Sequence, residues 1–354
     1  MALSDFKDFK ESDALFRNSK GKVKPAPELP KGARIADAHC HLGMLSAPAL
    51  ALARCAVNGV RFLECITDPA ETAEGELAAP AVYEQLDAWC EQAQDLLEAW
   101  GEGERRLPRV RLACGVHPHN AKHYAGALGT LTELLKDQRT SCLGEIGLDY
   151  HYDLSPREVQ RDVFAQQLQL AHEAELPVEL HIREAHEDAL AILREVGCPA
   201  AGTVLHCFNL DAEALAPFLE LDCYISLGGP LTFKKEWPTR LAALNVPIDR
   251  LLTETDAPFM APEPLRGTVC QPDQTLYTAR TLLDCFGFAG SERALELINP
   301  RSIDIAEGEG APEVHAPNFT ELQCGQDEGA FCALLYRNAT MLLDRRPTPW
   351  QVQG

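Results

Sequence analysis

The 354-residue sequence contains no uninterrupted apolar run approaching 18 residues, so no transmembrane helix is expected. It contains no CxxC pair. Its 13 cysteines, an odd number, are scattered from Cys40 to Cys332, which argues against a zinc finger, a thioredoxin-type motif or a disulfide framework. They read as small buried apolar residues in a reducing compartment. Positive charge is scarce: 32 Lys and Arg stand against 53 Asp and Glu, a net charge of −21. That balance excludes a broad non-specific surface for duplex nucleic acid, whose affinity comes mainly from neutralising phosphates. The opening MALSDFKDFKESD lacks the basic-then-apolar layout of a signal peptide, so a cytoplasmic protein is expected.

What is present is an ordinary globular composition, 46% apolar and 24% charged, in a chain long enough for one large core or two ordinary ones. The acid is unevenly spread. Residues 1–34 carry +3, residues 68–107 carry −9 and residues 299–329 carry −6. The two acidic segments are rich in Gly, Pro and Glu and read as surface insertions. Within the first, 81–100 is expected to be a solvated helix that buries Leu86, Ala93, Leu96 and Leu97. The expected organisation is an N-terminal extension over 1–34 and one domain over 35–354, with insertions at about 70–107 and 299–329.

Eight short apolar segments read as strands: 34–38, 60–66, 109–114, 141–146, 177–182, 202–208, 222–227 and 250–255. Each is followed by enough chain for the crossover helix that parallel strands require. The pattern predicts a (β/α)8 TIM barrel, with a doubly wound open sheet as the alternative. The clearest helix follows Ser155, read as its N-cap, with Pro156 in the first turn and Glu158 as a capping-box acid. Val159, Val163, Phe164, Leu168 and Ala171 form its buried stripe.

The polar residues favour the barrel. The first strand ends in Asp37-Ala-His39-Cys-His41, where alternation puts both imidazoles on one face. The third ends in Gly115-Val-His117-Pro-His119, and the fourth in Gly144-Glu145-Ile-Gly-Leu-Asp149. The fifth ends in His181-Ile-Arg183, the sixth in His206-Cys-Phe208, the eighth in Glu254-Thr-Asp256-Ala-Pro258. A barrel gathers these ends at one mouth, whereas an open sheet spreads them along an edge. Four imidazoles (His39, His41, His181, His206) and two carboxylates (Glu145, Asp256) suit two divalent first-row ions, with Glu145 as the natural bridge. Such a centre can activate a water for hydrolysis.

DAHCHL, GVHPHNA, GEIGLDY with SPREVQRDVFAQQL, HIREA, LHCF and ETDAP, in this order, resemble the TatD family of metal-dependent deoxyribonucleases. The resemblance runs from about Ile35 to Pro264 and resumes weakly at Asn338-Ala339. It implies a TIM barrel, two divalent ions (Zn, Mg or Mn) and hydrolysis of phosphodiester bonds in DNA. Carried over, it has His39 and His41 hold one ion with Asp256, and Glu145 bridge to a second held by His181 and His206. Asp256 would also orient or deprotonate the attacking water. His117, with His119 beside it, would contact the substrate phosphate, unless the pair only fixes the loop around Pro118. Arg183 would reach a phosphate or pair with Glu184 or Asp149. Asp149 would act behind the ligands, in a substrate loop or as a turn cap.

The sequence departs from the family pattern at Asn209-Leu210, where Ser-Gly is usual, and at Val269-Cys270-Gln271-Pro272, where Arg-Asn-Glu-Pro is typical. These changes bear on substrate choice and leave the ligand set intact. The expected function is a metal-dependent deoxyribonuclease acting on DNA ends or short single strands, without a membrane partner. The alternatives are a related barrel hydrolase of lactones, amides or phosphotriesters, and a non-catalytic metal-binding scaffold.

Overall fold

The computed structural model describes residues 16–73, 75–287 and 328–346. Eight strands follow one another in a parallel sheet: β1 (Ile35–Cys40), β2 (Val60–Thr67), β3 (Arg109–Cys114), β4 (Thr140–Asp149), β5 (Val178–Arg183), β6 (Thr203–Leu205), β7 (Tyr224–Leu227) and β8 (Leu251–Thr253). Each pairs with its sequence neighbour. The seam is closed by a parallel bridge between Cys40 and Ala257, where Asp256 N donates to His39 O at 2.9 Å and His41 N to Ala257 O at 2.7 Å. The architecture is therefore the TIM barrel, and the open-sheet alternative is excluded. Strand six is shorter than its apolar run because Cys207 turns into the left-handed region, with φ 46°, and ends the ladder.

The crossovers are α1 (Pro48–Asn58), α2 (Ala79–Ala99), α3 (Tyr124–Leu134), α4 (Arg157–Ala174), α5 (His186–Val196), α6 (Ala212–Glu220) and α7 (Trp237–Ala243), followed by α8 (Thr275–Gly287) and α9 (Glu328–Leu343). The first acidic segment holds the β2–β3 crossover itself. In α2, Val82, Leu86, Ala93 and Leu97 are buried at helical spacing, while Glu84, Asp87, Glu91, Asp95 and Glu98 face solvent. Leu96 is buried as expected, and so are Tyr83 and Trp89. Of the second acidic segment, 299–327 lies outside the described residues.

The start of α4 needs a correction. Its N-cap is Pro156, and Ser155 makes no cap bond to this helix. The buried Ser155 hydroxyl instead donates to His119 O at 2.8 Å and accepts from Lys122 N at 3.1 Å. It ties down the loop after β3, where unpaired backbone groups needed a partner more than the exposed helix end did. Val163, Phe164, Leu168 and Ala171 are buried, and Val159 partly so.

The last helix closes the barrel at the N-terminal ends of the strands. Ala339, Leu342 and Leu343 pack with Ala36, Phe62, Ala113, Val204 and Leu252 in a small apolar cluster separate from the main core. Asn338 Nδ2 donates to Ile248 O and Leu251 O at 2.8 and 2.9 Å, and Asp344 pairs with Arg109 and Arg111. The N-terminal extension docks alongside: Phe16 meets Tyr277 of α8 edge-on at 5.1 Å, and the Tyr277 hydroxyl donates to Pro25 O at 2.9 Å. All twelve described cysteines are free thiols, most of them buried.

Glu64 is fully buried in β2, with Ser141 Oγ as its hydrogen-bond donor. Burial pushes its carboxyl up to about 8. Between the ordinary carboxylate pKa and about 8, the folded chain thus holds a proton at Glu64 that the unfolded chain has released. Its contribution to stability is complete below that window and is lost as pH rises through it. Glu64→Gln removes this titration, so its melting temperature should gain on wild type by at least a few degrees between pH 5 and pH 9. Parallel melting curves for the two proteins across that range would show that Glu64 does not titrate this way.

Candidate metal centre

The site is built where strands end. Gly144 and Gly147 bracket Glu145 because β4 lies too close to β5 for side chains there. A Cβ on Gly147 would stand 2.0 Å from His181 O, and one on Gly144 would stand 2.7 Å from the Glu179 Cβ. This close approach sets Glu145 Oε1 2.7 Å from His181 Nδ1 and 2.8 Å from His206 Nε2. On its other side, Glu145 Oε2 is 3.7 Å from His39 Nε2 and 4.0 Å from His41 Nε2. Asp256 Oδ1 lies 3.7 and 3.4 Å from the same two nitrogens. The structure thus brings together all six of the expected ligands.

The electrostatics follow from this crowding. Burial alone would push the Glu145 carboxyl up, but the imidazoles of His206, His117 and His181 hold it well below the usual carboxylate range. Burial opposes charge on His206 too, and the Glu145 carboxylate overcomes it and raises that imidazole. His39 goes the other way: burial and the neighbouring His206 push it well down, so it is neutral with a free lone pair. His39 Nε2 and His41 Nε2 face each other at 3.2 Å with two carboxylates at hand. Converging imidazole lone pairs and carboxylate oxygens are the donor chemistry of a divalent transition ion. Ligand atoms of His39, His41 and Glu145, of His39, His206 and Asp256, and of His117, Glu145 and His181 each lie close enough together to hold one.

His117 therefore sits nearer the centre than a substrate contact alone would require, its Nε2 3.7 Å from Glu145 Oε1. Its Nδ1 accepts from His119 N at 3.1 Å, so the pair also fixes its own loop. Asp149 stands behind His181 and also caps a turn. Its Oδ2 lies 2.9 Å from His119 Nε2 and 3.1 Å from His181 Nε2, while its Oδ1 accepts from the backbone of His151 and Tyr152. Arg183 is exposed and stacks over Tyr152 at 4.8 Å. Glu184, one expected partner, is bound instead by His151 Nδ1 at 2.7 Å. At the departures from the family pattern, Asn209 and Val269 are exposed and Cys270 is buried.

Sequence reasoning missed the residues behind the ligands. Fully buried Glu179 places Oε1 2.9 Å from His39 Nδ1, which turns the opposite nitrogen toward the centre. Glu254, named only as part of its strand end, lies 3.6 Å from His206 Nδ1 and accepts from Cys207 N at 2.7 Å. Asp37 accepts from the Thr255 hydroxyl at 2.6 Å and from Thr255 N at 2.9 Å, which joins β1 to the end of β8. Asp68, which burial pushes up to about 6, accepts from His117 N and from the Asn120 amide. Glu179 was detectable: it is a carboxylate in an apolar strand two residues before His181.

A parallel barrel with imidazoles and carboxylates gathered at its C-terminal mouth defines a TIM-barrel metal-dependent hydrolase. The family profile described as TatD related DNase matches residues 36–294, and the chain belongs to the TatD family. It is 36% identical over 266 residues to the uncharacterized metal-dependent hydrolase YcfH of Escherichia coli K12, covering 73% of this chain and 91% of that one. It is 30% identical over 277 residues to the human 3'-5' RNA nuclease TATDN2, covering 72% of this chain and 33% of that protein. Among solved structures, the TatD homolog YJJV of Escherichia coli K12 shares the fold with a TM-score of 0.62 and 23% identity, covering 88% and 99% of the two chains. Among the described residues, no helix is long and apolar enough to cross a membrane.

Glu179→Leu should weaken divalent-metal affinity about 10- to 100-fold, measured by competition with a chromogenic chelator. Glu179→Gln, which can still accept from His39 Nδ1, should retain most of it. Equal affinity in wild type and Glu179→Leu would remove Glu179 from the support of the centre.

Proposed function

We propose that the chain is a metal-dependent phosphodiesterase that hydrolyses DNA ends or short single strands. The observation that carries this reading is one carboxylate, Glu145, set between two groups of imidazoles, with Asp256 on the first group. In this reading His39, His41, Asp256 and Glu145 hold one divalent ion, and Glu145, His181 and His206 hold a second. When bound, the ions lower the pKa of a water and neutralise charge gathering on the phosphoryl oxygens.

The chain's own groups do the rest. Asp256, whose Oδ1 lies 3.4 Å from His41 Nε2, takes the proton of the attacking water in this reading. His117 and Arg183 bind the phosphate from the β3 and β5 side. Asp149 keeps His181 and His119 oriented by hydrogen bonds to both rings. Nuclease action is supported by membership of the TatD family and by the relative named a 3'-5' RNA nuclease. DNA and RNA oligonucleotides therefore both belong in the assay.

Purified protein supplied with Mg²⁺, Mn²⁺ or Zn²⁺ should shorten 5′- and 3′-labelled single-stranded oligonucleotides. Glu145→Gln should lower kcat by roughly three orders of magnitude, with less metal retained after gel filtration. Full activity in Glu145→Gln would overturn the mechanism. Turnover of a lactone or phosphotriester without any oligonucleotide cleavage would overturn the substrate class.

A further inference from the structure

Two aromatic side chains other than histidine are exposed among the described residues, Tyr152 at 54% and Phe259 at 49%, and both stand at the mouth of the barrel. Tyr152 follows β4 and meets His119 edge-on, ring centroids 5.4 Å apart. Phe259 follows β8 and meets His41 edge-on at 6.0 Å. In an eight-stranded barrel, β4 and β8 lie diametrically opposite. The contacts agree with this placement, running from Phe259 through His41 to Glu145, then through His181 and Asp149 to His119 and Tyr152. Leu154 and Met260, close by each ring in the chain, are also exposed, at 54% and 37%.

We infer that Tyr152 and Phe259 are base-stacking subsites for two unpaired nucleosides, one on each side of the phosphodiester at the metal centre. The inference rests on the phosphodiesterase reading and deepens it by naming what the enzyme requires on either side of the scissile bond. Base stacking fits the rest of the chain. With a net charge of −21, long-range attraction to phosphates is weak, so contacts that carry no charge have to add to what the metal site and Arg183 supply locally. Aromatic rings supply such contacts to any base, because every base has a π-face. On the Tyr152 side the exposed Arg183 guanidinium already lies over the ring, 4.8 Å from its centroid, so a base can stack on the guanidinium plane or on the opposite ring face, with a cation at hand for its phosphate. A paired duplex keeps its base faces covered, so strands must be single or frayed at the site.

The test compares natural oligonucleotides with ones carrying an abasic spacer on the 5′ or the 3′ side of the scissile phosphate. Wild type, Tyr152→Ala, Phe259→Ala, Tyr152→Trp and Phe259→Trp are measured as full-length, metal-loaded protein. Each alanine variant should lose about five- to hundred-fold in kcat/KM on the natural strand, and each tryptophan variant should recover most of it. Each alanine change should pair with one spacer position, where the two losses do not add. Anisotropy of labelled oligo-dT against a fully abasic strand gives the same comparison without cleavage. If wild type cleaves but treats abasic and natural strands alike, or the losses add at both spacers, the stacking inference falls and the phosphodiesterase reading stands. If nothing is cleaved yet oligo-dT binds through these two rings, the phosphodiesterase reading falls and the stacking sites stand.

Discussion

Ring nitrogens of His39, His41, His117, His181 and His206 lie within 4.0 Å of the two oxygens of Glu145, and these five histidines come from four different strand ends. A carboxylate taken out of water this completely is costly to ionise unless positive or polarisable partners surround it. Here the imidazoles are those partners, and Glu145 in turn holds His206 and His181 toward their charged forms against burial. The arrangement exists only if β1, β3, β4, β5 and β6 end at one height, which requires a closed barrel. It also requires β4 to run against β5 without side chains at Gly144 and Gly147. The two glycines that bracket Glu145 in the sequence are therefore a packing condition for the site.

The fold was largely legible because each strand of a parallel barrel is buried on both faces and stands out as a short apolar run. The ligands were legible for a related reason. A charged or imidazole group at the end of such a run has no cheap structural role, and six of the eight runs ended in one. What stayed hidden was local competition for hydrogen-bond donors and acceptors. Ser155 has the sequence context of a helix cap, but its hydroxyl bonds across to the His119 loop, a partner 36 residues away in the chain. Glu179 stood out as a carboxylate in an apolar strand, but its partner and that of Glu254 were hidden, because periodicity says which way a side chain points and not whether a histidine waits there. The place of His117 beside Glu145 likewise depends on how far the β3 loop leans in, which spacing does not encode.

The uneven charge of the sequence finds a partial explanation in the second crossover. Helix α2 has an ordinary barrel-facing side of Val82, Leu86, Ala93 and Leu97, and its acids all point outward. The exposed face of a barrel helix tolerates almost any polar residue, so an acidic choice there costs the fold nothing. It does change what approaches the molecule, since anions are repelled from that face.

The two ends of the barrel divide stability from chemistry. At the N-terminal end, α9 fills the opening with Leu342 and Leu343 and fastens it with the Asp344–Arg111 pair and the Asn338 amide. At the C-terminal end, Asp256 and Cys207 sit in the left-handed region at φ 56° and 46°, a conformation that costs about 1–3 kcal/mol for a residue with a side chain. Each is held by a specific bond: Asp256 N donates to His39 O, and Cys207 N donates to the Glu254 carboxylate. Those bonds also align the neighbours of the strained residues. Asp256 thereby faces His41, and Glu254, in holding Cys207, stands beside the next residue back, His206. Two of the left-handed residues thus lie at strand ends where the backbone turns His206 and Asp256 toward the centre, while the opposite end of the barrel is plugged by apolar packing.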